Sequence, residues 1–177
     1  CINMAKQLTP LLTIKEFHAL YRSTPEELDR AKAEFAKGGI VLTGGGTVYM
    51  QKDDPDDVKS YFEYAKRLGL PMMNIGPTAR TLPIIEKFAI QYDIKIAVHN
   101  HGPEDKPFPA PSDALKLIKN MDPRMGLCID VGHTTRTGKN RSATTRSMTR
   151  TCWKSFRPNT AVEGPTSEKS LVTKFPM

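Results

Sequence analysis

Cysteine, aromatic residues and long apolar runs are all scarce in this chain of 177 residues. Its three cysteines, Cys1, Cys128 and Cys152, are too few for the disulfide framework of a small secreted domain, so we expect a reducing, cytoplasmic setting. No apolar run approaches the roughly 18–20 residues that a membrane-spanning helix needs, and the first residues predict no signal peptide. The composition therefore favours a globular protein without a membrane partner.

Acidic residues are scarce in one part of the chain only. The net charge of +7 comes from 26 Lys and Arg against 19 Asp and Glu, and residues 139–177 alone hold eight basic and two acidic residues. This segment has no His, Asp, Ile or Tyr, and it shows neither a strand nor a helix period. We therefore predict a folded domain over 1–138 and a basic Ser/Thr/Arg-rich tail over 139–177, either disordered or encoded in a shifted reading frame.

Strand and helix patterns alternate over residues 1–138. Strands are predicted at 12–20, 40–42, 71–75, 94–98 and 125–131, and helices at 25–37, 53–68, 81–92 and 112–121. Thr24 and Ser112 are the expected caps of the first and last of these helices. Such alternation predicts a parallel sheet with right-handed crossovers, in either an open doubly wound sheet or a (β/α)8 barrel.

The glycine run Gly44–Gly46 matches neither of the common nucleotide-binding loops, because no helix pattern follows it. We interpret it as a flexible strand end at which two stretches of backbone approach closely.

Polar residues concentrate where the predicted strands end. All four histidines, His18, His99, His101 and His133, lie there, and the last predicted strand carries Asp130. Ligands of parallel α/β proteins bind at these strand ends. Imidazole and carboxylate groups together predict a divalent metal ion: Mn²⁺, Mg²⁺, Co²⁺ or Zn²⁺.

Each of these residues also has a structural interpretation. Asp130 could cap a helix, His99 and His101 could form a hydrogen-bonded pair that shapes a loop, and Glu104, in the loop after them, could be a solvated carboxylate. His18 could be an ordinary strand-end residue.

Two motifs, HNHGPED and CIDVGH, lie within Ile96–Gly138, and this segment resembles the sugar phosphate isomerase/epimerase family. Lys15–Met50 is similar to the second and third βα units of that family. The resemblance implies a partial xylose isomerase-like (β/α)8 TIM barrel with about five βα units. It also implies metal-dependent isomerisation or epimerisation of a small sugar, by proton transfer through an enediolate.

The resemblance assigns a role to each candidate residue. Asp130, Glu104 and His99 are the implied metal ligands, Glu104 and His133 the implied catalytic residues, and His18, His101 and His133 the implied substrate contacts.

A whole barrel takes about 250 residues, so we expect an incomplete and inactive fragment with exposed strand edges. Two alternatives stay open: a barrel of the apurinic-site endonuclease type, and a basic-tailed nucleic-acid-binding module. The first 138 residues hold 18 basic and 17 acidic residues, a balance that argues against a nucleic-acid partner.

Overall fold

Four parallel strands form one sheet in the computed structural model, which describes residues 20–138. The strands are β1 (Gly45–Val48), β2 (Met72–Ile75), β3 (Lys95–His99) and β4 (Met125–Cys128). Each strand pairs with the next one along the chain, in the order β1-β2-β3-β4. The predicted α/β class with a parallel sheet is therefore confirmed in this part of the chain.

Helices connect the strands in the described part of the chain. They are α1 (Pro25–Lys37), α2 (Pro55–Leu68), α3 (Leu82–Tyr92), α4 (Pro111–Ile118) and α5 (Val131–Arg136), and a short 3-10 helix (Leu20–Arg22) precedes α1. The predicted first strand, 12–20, lies outside the described residues except for Leu20, which begins the 3-10 helix. The predicted tail, 139–177, also lies outside them.

Local sequence signals account for the bounds of the first two long helices. The Thr24 hydroxyl accepts a hydrogen bond from the Glu27 amide, and the Glu27 carboxylate accepts one from the Thr24 amide, so the predicted capping box is confirmed. α2 begins after Asp54, whose side chain accepts from the Asp56 amide, and ends at Gly69 with φ of 77°.

The predicted strand at 40–42 is wrong. Gly39 has φ of 65°, and the Ile40 amide donates to the Phe35 carbonyl, so Ile40 completes the Schellman motif that ends α1. The strand begins at Gly45 instead, within the glycine run. A Cβ atom on Gly45 would lie 2.7 Å from Cδ1 of Leu70, so the close contact at this glycine is with a side chain rather than with backbone, and it lies at the start of a strand rather than at its end.

Two further element bounds differ from the prediction because the chain starts helices earlier than expected. α4 begins at Pro111, and its cap is Ala110, whose amide donates to the Asp113 carboxylate, so Ser112 is not the cap. β4 ends at Cys128 rather than at Val131, since Asp130 caps a helix, α5, that the sequence patterns do not indicate.

The core lies between the sheet and the helices. Phe62 of α2 packs against Phe88 and Tyr92 of α3, with ring centroids 5.9 and 5.8 Å away, and the apolar residues of β2 and β3 lie beneath them. None of the helices within residues 20–138 has the length and apolar character that crossing a membrane would require.

Replacing the fully buried Phe62 with alanine should lower the free energy of unfolding by about 3–5 kcal/mol, because the cavity adds to the lost transfer energy. Urea unfolding followed by circular dichroism measures the change. The matched control is Ile90→Ala on the outer face of α3, where the side chain is 49% exposed, and it should change the same quantity by about 0.5 kcal/mol or less. Equal losses in the two variants would contradict this account of the core.

Candidate functional site

Three of the four histidines lie together at the carboxyl end of the sheet. His99 ends β3 and stands in register with Cys128 at the end of β4, so the residues that follow these two strands meet at one edge. The ring centroid of His99 lies 4.4 Å from that of His101 and 5.9 Å from that of His133, and the last two are 5.7 Å apart. We call His99, His101 and His133 the histidine cluster. His18 lies outside the described residues.

Asn100 links the end of β3 to the start of α5. Its side chain is 1% exposed; Oδ1 accepts from the Asp130 amide at 2.9 Å, and Nδ2 donates to the Thr134 hydroxyl at 3.2 Å. Thr134 is also buried, and its hydroxyl donates to the Asp130 carbonyl at 2.6 Å. This clamp fixes the backbone at Asp130. Sequence reasoning missed Asn100, although it lies between two of the predicted site residues.

The Asp130 carboxylate faces two imidazoles and one amide. Oδ1 accepts from the His133 amide at 2.7 Å, so the interpretation of Asp130 as a helix cap is confirmed. Oδ2 lies 3.6 Å from Nε2 of His99 and 3.9 Å from Nε2 of His133. The hydrogen bond from the His133 amide lowers the pKa of Asp130, and the neighbouring imidazoles lower it further.

His99 is the most enclosed member of the cluster, with a side chain that is 15% exposed. Burial lowers the pKa of this imidazole, and the His101 and His133 rings lower it further, against the opposite effect of Asp130 and Asp105. Its Nδ1 is buried and has no hydrogen-bond partner among the described residues. The neutral imidazole is the form in which histidine binds metal ions.

Glu104 pairs with Arg136 of α5. Arg136 is a site residue that sequence reasoning missed. Arg136 also donates to the His101 carbonyl at 3.1 Å and contacts Nδ1 of His133 at 2.6 Å. A guanidinium only donates hydrogen bonds, so Nδ1 of His133 accepts, and the ring proton is assigned to Nε2, on the side of Asp130. The one available sequence signal was the spacing, since Arg136 follows His133 by three residues on a helix.

Glycine at position 102 makes this contact possible. Gly102 has φ of 91°, and a Cβ atom there would lie 2.8 Å from Nη2 of Arg136. A hydrogen bond from its own amide lowers the pKa of Glu104, and the Arg136 guanidinium lowers it further.

The predicted metal ligands fit a cation only in part. Two atoms that each bind one cation at about 2.0–2.2 Å lie no more than roughly 4.4 Å apart, and Nε2 of His99 and Oδ2 of Asp130 meet that limit. Glu104, the third predicted ligand, is engaged by Arg136 instead. Within residues 20–138, no three His, Cys, Asp or Glu side chains are placed to hold a metal ion. A complete site would need ligands from outside these residues.

A cleft of about 220 Å³ opens beside the histidine cluster. Its lining residues come from the ends of β1, β2 and β3: Tyr49, Gln51, Gly76, Pro77, His101, Glu104 and Asp105. Tyr49, Gln51 and Asp105 are polar residues that sequence reasoning did not select. No Lys or Arg lines the cleft.

Comparison with known proteins finds similar folds and gives no activity. No family model and no curated protein matches the chain. The solved structure of a putative uncharacterized protein from Parabacteroides distasonis ATCC 8503 is similar, with a TM-score of 0.58, 25% identity, and coverage of 73% of this chain and 50% of that one. A protein from Sinorhizobium meliloti 1021 matches with a TM-score of 0.52 and 19% identity over 60% of this chain and 49% of that one. The chain therefore spans about half the length of these two proteins.

We expect the free energy of unfolding to fall as the pH drops from about 7 to about 5, because of His99. Since folding lowers the pKa of His99, the unfolded state binds more protons once the pH falls below the ordinary value of 6.5, and stability is lost in that window. Glu104 and Asp130 have ordinary pKa values of 4.5 and 3.8, which folding lowers. Their protonation therefore reduces stability mainly at pH values below the range assigned to His99. Urea unfolding at several pH values measures the slope. A His99→Gln variant with an undiminished slope would refute the assignment.

Asn100→Ala should lower the free energy of unfolding by about 1–3 kcal/mol, because it leaves the buried Thr134 hydroxyl and the Asp130 amide without their partner. The matched control is Asn74→Ala, a half-buried asparagine within β2. Proton NMR should show the His99 and His133 ring signals shifted in Asn100→Ala and unchanged in the control. Unshifted His99 and His133 ring signals in Asn100→Ala would mean that Asn100 does not position the site.

Proposed function

We propose that this chain carries one part of the active site of a metal-dependent isomerase or epimerase of small sugars or sugar phosphates, built on part of a (β/α)8 barrel. The observation that carries the proposal is the meeting of three imidazoles, Asp130 and an adjacent cleft at the carboxyl end of parallel strands. The strand order supports the barrel, because it runs β1 to β4 without the reversal of a doubly wound sheet.

A divalent cation, Mn²⁺, Mg²⁺, Co²⁺ or Zn²⁺, is the proposed cofactor, and it would polarise the substrate carbonyl. His99 and Asp130 would contribute two ligands, because their facing atoms, Nε2 and Oδ2, are 3.6 Å apart. Further ligands would come from parts of the protein outside residues 20–138.

The chain's own residues suit proton transfer beside a carbonyl group. Glu104 lines the cleft, and its carboxylate would take the proton from the carbon next to the carbonyl. The electron pair of that bond then forms the enediolate. Return of the proton to the neighbouring carbon, together with transfer of the hydroxyl proton from one enediolate oxygen to the other, gives isomerisation. Return of the proton to the opposite face of the same carbon gives epimerisation.

His133 would stabilise the oxygen on which charge develops. Arg136 holds Nδ1 of His133 as an acceptor, so the Nε2–H group is a donor. His101, the other proposed substrate contact, lines the cleft directly.

The described residues do not favour either alternative function. A nucleic-acid substrate needs basic side chains for its phosphates, whereas two carboxylates, Glu104 and Asp105, line the cleft. The basic segment 139–177 lies outside the described residues, so a nucleic-acid-binding tail stays a prediction.

Proton transfer can be tested by incubating a full-length protein, in which this chain is joined by the parts that supply the further ligands, with Mn²⁺ and a panel of aldoses, ketoses and their phosphates in D₂O. Exchange of the hydrogen beside the carbonyl is expected in the proton NMR spectrum of at least one sugar. Glu104→Gln should slow it by about 10²–10⁴-fold, as for the loss of a general base.

Two matched variants serve as controls. Glu63→Gln removes an exposed glutamate from the outer face of α2 and should leave exchange unchanged. Asp130→Asn should weaken the dependence of hydrogen exchange on Mn²⁺. Asp93→Asn changes a side chain that is 81% exposed, and it should leave that dependence unchanged. Absence of exchange with every sugar of the panel, in a full-length protein that is folded by circular dichroism, would refute the proposed function.

A further inference from the structure

We propose that the cleft beside Tyr49 binds an uncharged polyhydroxy ligand, an unphosphorylated sugar, and discriminates against the phosphate ester of the same sugar. The inference rests on the proposed function and deepens it, because that function leaves open whether the substrate carries phosphate. It is argued from the shape, the hydrogen-bonding groups and the charge of the cleft.

The size of the cleft suits a small ligand. Its volume of about 220 Å³ is below the roughly 300–1,000 Å³ of sites that take drug-sized molecules. Tyr49 forms one wall and is 51% exposed. An exposed aromatic ring among polar groups gives an apolar surface for the C–H face of a sugar ring and leaves its hydroxyl groups to the polar neighbours.

The Tyr49 ring is held in place by two contacts. A Cβ atom on Gly76 would lie 2.7 Å from Cδ1 of Tyr49, so only glycine lets the ring lie this close to the backbone after β2. The phenol oxygen lies 3.0 Å from Nε2 of His101, and the two rings stack with centroids 5.5 Å apart. The wall is therefore formed before a ligand arrives.

Asp105 sets the direction of the Tyr49 hydrogen bond. Its carboxylate lies 3.3 Å from Nδ1 of His101, which places the ring proton on Nδ1. Nε2 of His101 is then an acceptor, and the Tyr49 hydroxyl donates to it. The lone pairs of the phenol oxygen are left to accept hydrogen bonds from a ligand.

The cleft is consequently rich in acceptors. Glu104 and Asp105 contribute carboxylates, Tyr49 a phenol oxygen, and Gln51 both an acceptor and a donor. Each hydroxyl of a sugar supplies a donor for such groups. A phosphate ester carries a charge between about −1.5 and −2 near pH 7 and offers mainly hydrogen-bond acceptors. In this cleft the ester would be repelled by the two carboxylates and would find few hydrogen-bond donors.

The cation nearest in the hydrogen-bond network, Arg136, is already committed. Its guanidinium pairs with Glu104 and donates to the His101 carbonyl and to Nδ1 of His133. Recruiting it to a phosphate would break the Glu104 pair and leave that carboxylate beside the new anion.

Binding of fructose and fructose 6-phosphate, and of glucose and glucose 6-phosphate, to the full chain tests the inference by ligand-observed NMR titration. We expect the uncharged member of at least one pair to bind at least about fivefold more tightly than its phosphate ester. Raising the salt concentration should narrow this ratio, because salt screens the repulsion by the two carboxylates.

Two variants with matched controls separate the contribution of the Glu104 charge from that of the Tyr49 hydroxyl. Glu104→Gln should tighten binding of the phosphate ester about fivefold, because it removes a negative charge and releases Arg136; Glu63→Gln should not. Tyr49→Phe should weaken binding of the uncharged sugar severalfold; Tyr61→Phe, at a tyrosine of α2 outside the cleft, should not. Circular dichroism and thermal melting verify that each variant is folded.

The possible outcomes separate the two proposals. Tighter binding of the phosphate esters by the unaltered chain would overturn the inference and leave the proposed function standing. Equal binding of both members, unchanged by Glu104→Gln, would overturn the inference as well. Failure of every sugar and sugar phosphate to bind the folded chain would overturn the proposed function and the inference with it.

Discussion

The Asn100 side chain joins the end of β3 to the start of α5, and the geometry of the site depends on this connection. Its buried amide group accepts a hydrogen bond from the Asp130 backbone amide and donates one to the Thr134 hydroxyl. A buried polar group is costly to leave unpaired, so the two segments are held at one relative position. That position brings the Asp130 carboxylate to the imidazoles of His99 and His133.

Arg136 organises the opposite side of the same cluster. It connects the Glu104 loop to α5 and sets the proton of His133 on Nε2. The side chains around the cluster therefore have distinct tasks: Asn100 and Arg136 hold the backbone and the tautomers, and His99, Asp130 and Glu104 present the groups that could act on a ligand. A Cβ atom at Gly102 or Gly76 would intrude on Arg136 or on Tyr49, so both glycines belong to this arrangement through close packing.

Much of the fold could be predicted from the sequence because its signals are local. The Thr24 capping box, the Gly69 terminator and the apolar faces of α2 and α3 each depend on residues a few positions apart. The wrong predictions concern competition between local structures. Ile40 is apolar enough for a strand but is used to end α1, and Asp130 continues an apolar strand pattern but caps α5. Composition and periodicity do not show whether such a residue continues a strand or forms the end of a helix.

The residue types that follow the strands can be read from the sequence alone, and strand ends in parallel sheets meet at one edge. From this, the placement of His99, His101, His133 and Asp130 near one another could be expected. Which side chain faces which depends on the tertiary structure. Glu104 turns to Arg136 instead of joining His99 and Asp130, and Tyr49, 52 residues before His101, forms the wall of the cleft. The reason is that side-chain partners separated by tens of residues are set by sheet register and helix docking, which sequence spacing does not encode.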